Sequence, residues 1–94
     1  MYFQVLVSYD IENNKNRTKL FKELKDLGLK PIQKSVFWGY VLKSEKRVIK
    51  ELFELYCDEG DKAFVLNVKL DKNLEDSFGY ENDEFTHPEM YEII

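Results

Sequence analysis

Asp10 closes the first apolar run of the chain as part of Tyr9-Asp10-Ile11, and a second polar segment, Gln33-Lys34-Ser35-Val36-Phe37-Trp38-Gly39, follows a basic stretch from Lys15 to Leu27. A carboxylate, several cations and a small hydroxyl donor are the groups needed to hold a hard metal ion and a phosphodiester. Asp10 read by itself is more simply an Asx turn or a cap, and its functional reading needs company. A magnesium site needs one or two carboxylates with water and substrate phosphate, and the only other acid near Asp10 is Glu12. Two copies of Asp10 meeting across a dimer axis would supply the missing charge.

Lys15 and Arg17 stand at the start of the first expected helix, where the macrodipole favours acids. That conflict is expected where a helix start and added cations receive an anion together. A solvated basic face is the other reading, since Lys19, Lys22 and Lys25 continue the pattern. Ser35 can donate to a phosphate oxygen beside Lys34, and Phe37 or Trp38 can stack on a base. Strand alternation puts those two aromatics on opposite faces, so one of them belongs to the core. A serine nucleophile is disfavoured, because the single histidine, His87, lies before Pro88 in an acidic segment.

These groups have to be positioned by a small fold. Ninety-four residues make one domain, and a chain of this size buries roughly 65% of its unfolded surface, which leaves little room for a private cleft. A homodimer is therefore expected. Cys57 is the only cysteine, which excludes an internal disulfide and a cysteine-rich zinc site. Met1 to Gln4 has no basic lead-in and no apolar run nears the roughly 20 residues that span a bilayer, so a cytoplasmic protein with no membrane partner is expected. The net charge of −4 hides an asymmetry: residues 1–50 carry 11 basic and 5 acidic side chains, residues 51–94 carry 3 and 13. A basic face for nucleic acid is thus compatible with an acidic chain.

Tyr2 to Tyr9 reads as a strand with Phe3, Val5, Val7 and Tyr9 on one face. Asn13-Asn14 supplies the cap of a helix whose stripe is Leu20, Phe21, Leu24 and Leu27, ended by a left-handed Gly28. Ile32 to Leu42 predicts two short strands hinged near Trp38-Gly39. Ser44 is expected to cap a second helix with a stripe of Val48, Ile49, Leu52, Phe53, Leu55 and Tyr56, and Ala63 to Leu70 reads as the last strand, with Phe64, Leu66, Val68 and Leu70 on one face. The order βαββαβ predicts an α+β, ferredoxin-like fold, a four-stranded antiparallel sheet with two helices on one face. Residues 1–70 form that core. Residues 71–94 hold eight acids and one lysine among aromatic and aliphatic side chains. That segment is either a disordered acidic terminus or a partner contact, with Tyr91 to Ile94 a candidate strand exchanged in the homodimer.

Tyr9-Asp10-Ile11, Arg17-Thr18-Lys19-Leu20, Gly28 and Gln33 to Gly39 together resemble the CRISPR-associated protein 2 family over about residues 2–70. The resemblance implies a ferredoxin-like homodimer that works in spacer acquisition, holds foreign DNA and bridges copies of the CRISPR-associated integrase. It also implies a magnesium-dependent endonuclease, another divalent ion being an alternative, with Asp10 as metal ligand and catalytic residue. Lys15, Arg17, Lys19, Lys34 and Ser35 would then bind DNA or RNA, while Tyr9 and Phe37 shape the site. The alternatives are a toxin-type ribonuclease resembling virulence-associated protein D, a non-catalytic DNA-bridging subunit, and a metabolite-binding regulatory domain, for which no glycine-rich loop is present.

Overall fold

The computed structural model describes residues 1–70, 76–80 and 85. Their elements follow the order β1 (Tyr2–Asp10), α1 (Asn14–Asp26), β2 (Lys30–Gln33), β3 (Val36–Leu42), α2 (Lys43–Tyr56) and β4 (Lys62–Asn67). The sheet runs β2-β3-β1-β4, and its neighbouring strands are all antiparallel. This is the expected α+β, ferredoxin-like arrangement. His87 and the candidate strand Tyr91 to Ile94 lie outside the described residues.

Strand β1 is central and sets the two faces of the sheet. Val5, Val7 and Tyr9 are buried against Leu20 and Leu24 of α1 and Ile49 and Leu52 of α2, so both helices cover the same face. Each fully buried side chain of this size contributes roughly 1.5–3 kcal/mol. Gln4, Leu6, Ser8 and Asp10 alternate onto the other face. The pairs Leu6↔Leu66 and Ser8↔Phe64 add the two aliphatic and aromatic side chains of β4 to that open face, where Phe64 remains 47% and Leu66 41% exposed.

Helix α1 begins as its sequence predicts. The Asn13 side chain accepts from the Asn16 N–H at 2.9 Å. It ends in a Schellman motif, with Gly28 at φ +91°, the Gly28 N–H donating to the Lys25 carbonyl and the Leu29 N–H to the Leu24 carbonyl. The hydroxyl of Tyr56 donates to Glu23, tying α2 to α1. That bond, then burial and the neighbouring carboxylate charge, raise the Tyr56 pKa above its usual value.

Four expectations need correction. The hinge between β2 and β3 is the turn at Lys34-Ser35, and Trp38-Gly39 lies inside the continuous strand β3. Gly39 is there for space: a Cβ would stand 2.8 Å from Leu29 Cδ2 and 3.3 Å from Leu29 Cα. Ser44 sits within α2, whose start is closed instead by Glu45 accepting from the Leu42 N–H at 2.7 Å. The buried stripe of α2 is narrower than predicted, since Val48 and Leu55 are exposed. Strand β4 stops at Asn67, although Val68 still donates its N–H to the Gln4 carbonyl.

Replacement Gly39→Ala should lower stability by about 1–3 kcal/mol, because the core around Leu29 must move to admit one methyl group. Denaturant unfolding reads this as a lower midpoint at unchanged slope. A flexible hinge glycine would instead tolerate alanine or gain from it.

Candidate phosphodiester site

The carboxyl end of β1, the first turns of α1 and the β2–β3 turn converge on one cleft of about 470 Å³. Tyr9, Asp10, Arg17, Lys34 and Ser35 all line it, so five of the eight residues singled out in the sequence come together. They converge through backbone pairing: the Tyr9 N–H donates to the Ser35 carbonyl at 3.1 Å, which extends the β1–β3 ladder into the turn. Ile11, Thr18 and Phe21 complete the walls. Thr18 and Phe21 were legible only as parts of a helix pattern, and nothing in the sequence marks them as site residues.

Asp10 is exposed and has no ion-pair partner among the described residues. Its strand alternation follows from Tyr9, which is only 4% exposed and stacks on Phe37 with centroids 6.3 Å apart. Phe37 does not line the cleft. It is fully buried beneath it, edge-on to Phe21 at 5.1 Å, and supports the floor from the core side. Trp38 is also buried, on the opposite face, where its indole N–H donates to Gln4 Oε1 and Phe85 packs edge-on at 4.9 Å. Neither aromatic is therefore open to stack on a base.

Arg17 has a more definite task than a solvated cation. Its Nη1 donates to the carbonyl of Ile11 at 2.9 Å and to that of Glu12 at 3.5 Å, and its Nη2 donates to Asn14 Oδ1. A cation at this helix start is tolerated because it binds carbonyls of the loop before the helix. Lys15 and Lys19 are exposed but do not line the cleft, so they contribute charge at a distance. The Tyr9 hydroxyl is buried with no hydrogen-bond partner among the described residues. Burial raises its pKa and the Arg17 charge pulls the other way, leaving a neutral O–H at the cleft wall.

The donor set fits a hard divalent ion on one condition. Among the described residues no group of three acidic, histidine or cysteine side chains is placed to enclose a metal. Among the described residues Asp10 is the one carboxylate that lines the cleft, so the condition is that water, phosphate or a second copy's carboxylate supplies the remaining ligands, as the sparse protein ligation of magnesium allows. Cys57 does not line the cleft, and burial, then the charges of Asp61 and Asp58, raise its thiol pKa. No helix among the described residues is long and apolar enough to cross a membrane.

A family model described as CRISPR associated protein Cas2 matches residues 1–76. A Francisella tularensis subsp. novicida protein named CRISPR-associated endoribonuclease Cas2 1 is 44% identical over 89 residues, covering 94% of this chain and 92% of that protein. A Thermofilum pendens protein named CRISPR-associated endoribonuclease Cas2 is 32% identical over 68 residues, 72% of this chain and 73% of its own length. Among solved structures, Streptococcus pyogenes Cas2 superposes with a TM-score of 0.62 at 28% identity, covering 70% of this chain and 86% of that one. A hypothetical protein from Thermus thermophilus gives 0.66 at 27% identity, covering 73% and 84%.

The carbonyl bonds of Arg17 predict that Arg17→Ala costs about 1–3 kcal/mol, the scale of a lost charged hydrogen bond. Unfolding of the unliganded protein checks it. A cation that merely faced solvent would change stability by no more than about 0.5 kcal/mol.

Proposed function

Because the chain belongs to the CRISPR-associated protein Cas2 family, we propose that it is a homodimeric, metal-dependent endonuclease of CRISPR immunity that cleaves phosphodiesters at the Asp10 cleft. The names carried by its relatives favour RNA as the cleaved substrate. The same dimer, by family resemblance, serves spacer acquisition by holding DNA and bridging copies of the CRISPR-associated integrase. The observation that carries the catalytic reading is the convergence of an exposed Asp10, without an ion-pair partner among the described residues, with Lys34 and Ser35 at one cleft.

A second copy would add a second carboxylate to the donor set. Asp10 alternates onto the open face of the sheet, the face on which Phe64 and Leu66 remain exposed. A second copy covering that apolar surface would bring its own Asp10 toward the first, and an isologous contact doubles any group near its axis. Magnesium held by the two Asp10 carboxylates would lower the pKa of a bound water and offset charge on the phosphate. The Ser35 hydroxyl would donate a hydrogen bond to a non-bridging phosphate oxygen, and the Lys34 ammonium would balance the added negative charge. Water attacks phosphorus and gives up a proton to solvent as the bond from phosphorus to the leaving oxygen breaks, and the leaving oxygen takes up a proton from solvent. Arg17 binds the Ile11 and Glu12 carbonyls and so holds the loop that follows Asp10.

A purely DNA-bridging subunit is the second reading, favoured by the fact that a single chain supplies only one carboxylate to the cleft. The two readings separate at Asp10→Ala. The catalytic reading expects magnesium-dependent cleavage of a short RNA to fall by at least ~100-fold, on the scale of losing an essential ligand, with nucleic-acid affinity retained. Retained cleavage in the variant would remove Asp10 from the mechanism; no chelator-sensitive cleavage by the wild type would leave the bridging reading.

The open face makes a further prediction. Phe64→Glu puts a charge in the proposed contact without touching the core, so sedimentation should shift from dimer to monomer and cleavage should be lost with it. A Phe64→Glu protein that remains dimeric would show that this face is not the contact.

A further inference from the structure

We propose that Asp61 is the positioning residue for Asp10, acting through the backbone of Glu12. The proposal rests on the reading of Asp10 as the metal-holding carboxylate. It starts from a contact between segments 49 residues apart: Asp61 Oδ1 accepts the Glu12 N–H at 3.1 Å. The second oxygen, Oδ2, accepts the Asp58 N–H at 2.8 Å, and the Asp61 N–H donates to the Asp58 carbonyl at 3.0 Å. Both oxygens of one carboxylate are thus spent on backbone N–H groups, one inside its own turn and one on the loop after Asp10.

The location gives that bond its consequence. Asp61 directly precedes Lys62, whose Cα faces that of Asp10 in the β1–β4 ladder. The loop leaving Asp10 is then held from three sides: the Ile11 side chain is buried in the core, Arg17 binds the Ile11 and Glu12 carbonyls from α1, and Asp61 binds the Glu12 N–H from the α2–β4 turn. Asp10 is the last ladder residue, so the direction of its carboxylate depends on where this loop leaves the sheet. Outer groups that orient a metal ligand commonly matter to affinity almost as much as the ligand itself. Asp61 never needs to touch metal or substrate to have this effect.

The test follows the amide resonances of the full-length protein by NMR and uses Mn2+ as the probe ion. In Asp61→Ala, hydrogen exchange at the Glu12 amide should speed up about tenfold, the size of one lost hydrogen bond, while the core amides of Val5 and Val7 keep their rates. The Mn2+ concentration that half-broadens the Asp10 to Glu12 resonances should rise about tenfold. If that variant proves unfolded by circular dichroism, Asp61→Leu, close to Asp in shape but without an acceptor, carries the same two readouts. Unchanged exchange at Glu12, or faster exchange with an unchanged Mn2+ midpoint, overturns the positioning role alone. A wild-type protein whose Asp10 resonances ignore Mn2+ overturns the metal-holding reading, and the positioning role falls with it.

Discussion

The burial of Tyr9 decides where Asp10 can be. Side chains alternate strictly along a strand, so a Tyr9 ring packed on Phe37 beneath the helices sends the next residue to the other face. A slip of one residue would drive the Asp10 carboxylate into the core, where an unpaired charge costs far more than any single contact could return. The apolar residues Val5, Val7 and Tyr9 hold the register against that slip, and the cleft depends on it. Ser35 inherits its place from the same ladder, through its carbonyl bond to the Tyr9 N–H.

Beyond the ladder, position is kept by polar groups that bind backbone. Arg17 at the start of α1 breaks the usual helix-terminus charge preference, and its carbonyl bonds give the reason. Asp61 completes the loop's hydrogen bonding from the opposite side with the opposite charge. One loop therefore has its carbonyls bound by a cation and one of its N–H groups bound by an anion.

What the sequence makes legible here is local. The alternation of β1, the Asn13 cap and the left-handed Gly28 each depend on neighbours a few residues away, and all three are found as read. Gly39 reads as a hinge in the sequence because glycine signals both flexibility and close approach, and only the position of Leu29 tells them apart. Ser44 lost the cap to Glu45 because a longer carboxylate one residue later reaches the Leu42 N–H. Val48 and Leu55 show that an apolar residue at helical spacing need not be covered when the buried stripe is narrow. Asp61 and Phe85 act across 49 and 47 positions in sequence, on Glu12 and Trp38, and no periodicity reports such contacts.

The proposed metal site takes one Asp10 carboxylate from each of two chains. Counting bound Mn2+ by equilibrium dialysis against the dimer tests it most directly, with Asp10→Ala as the blank. The account predicts one Asp10-dependent ion for every two chains. One ion per chain, or binding that survives in the blank, would contradict it.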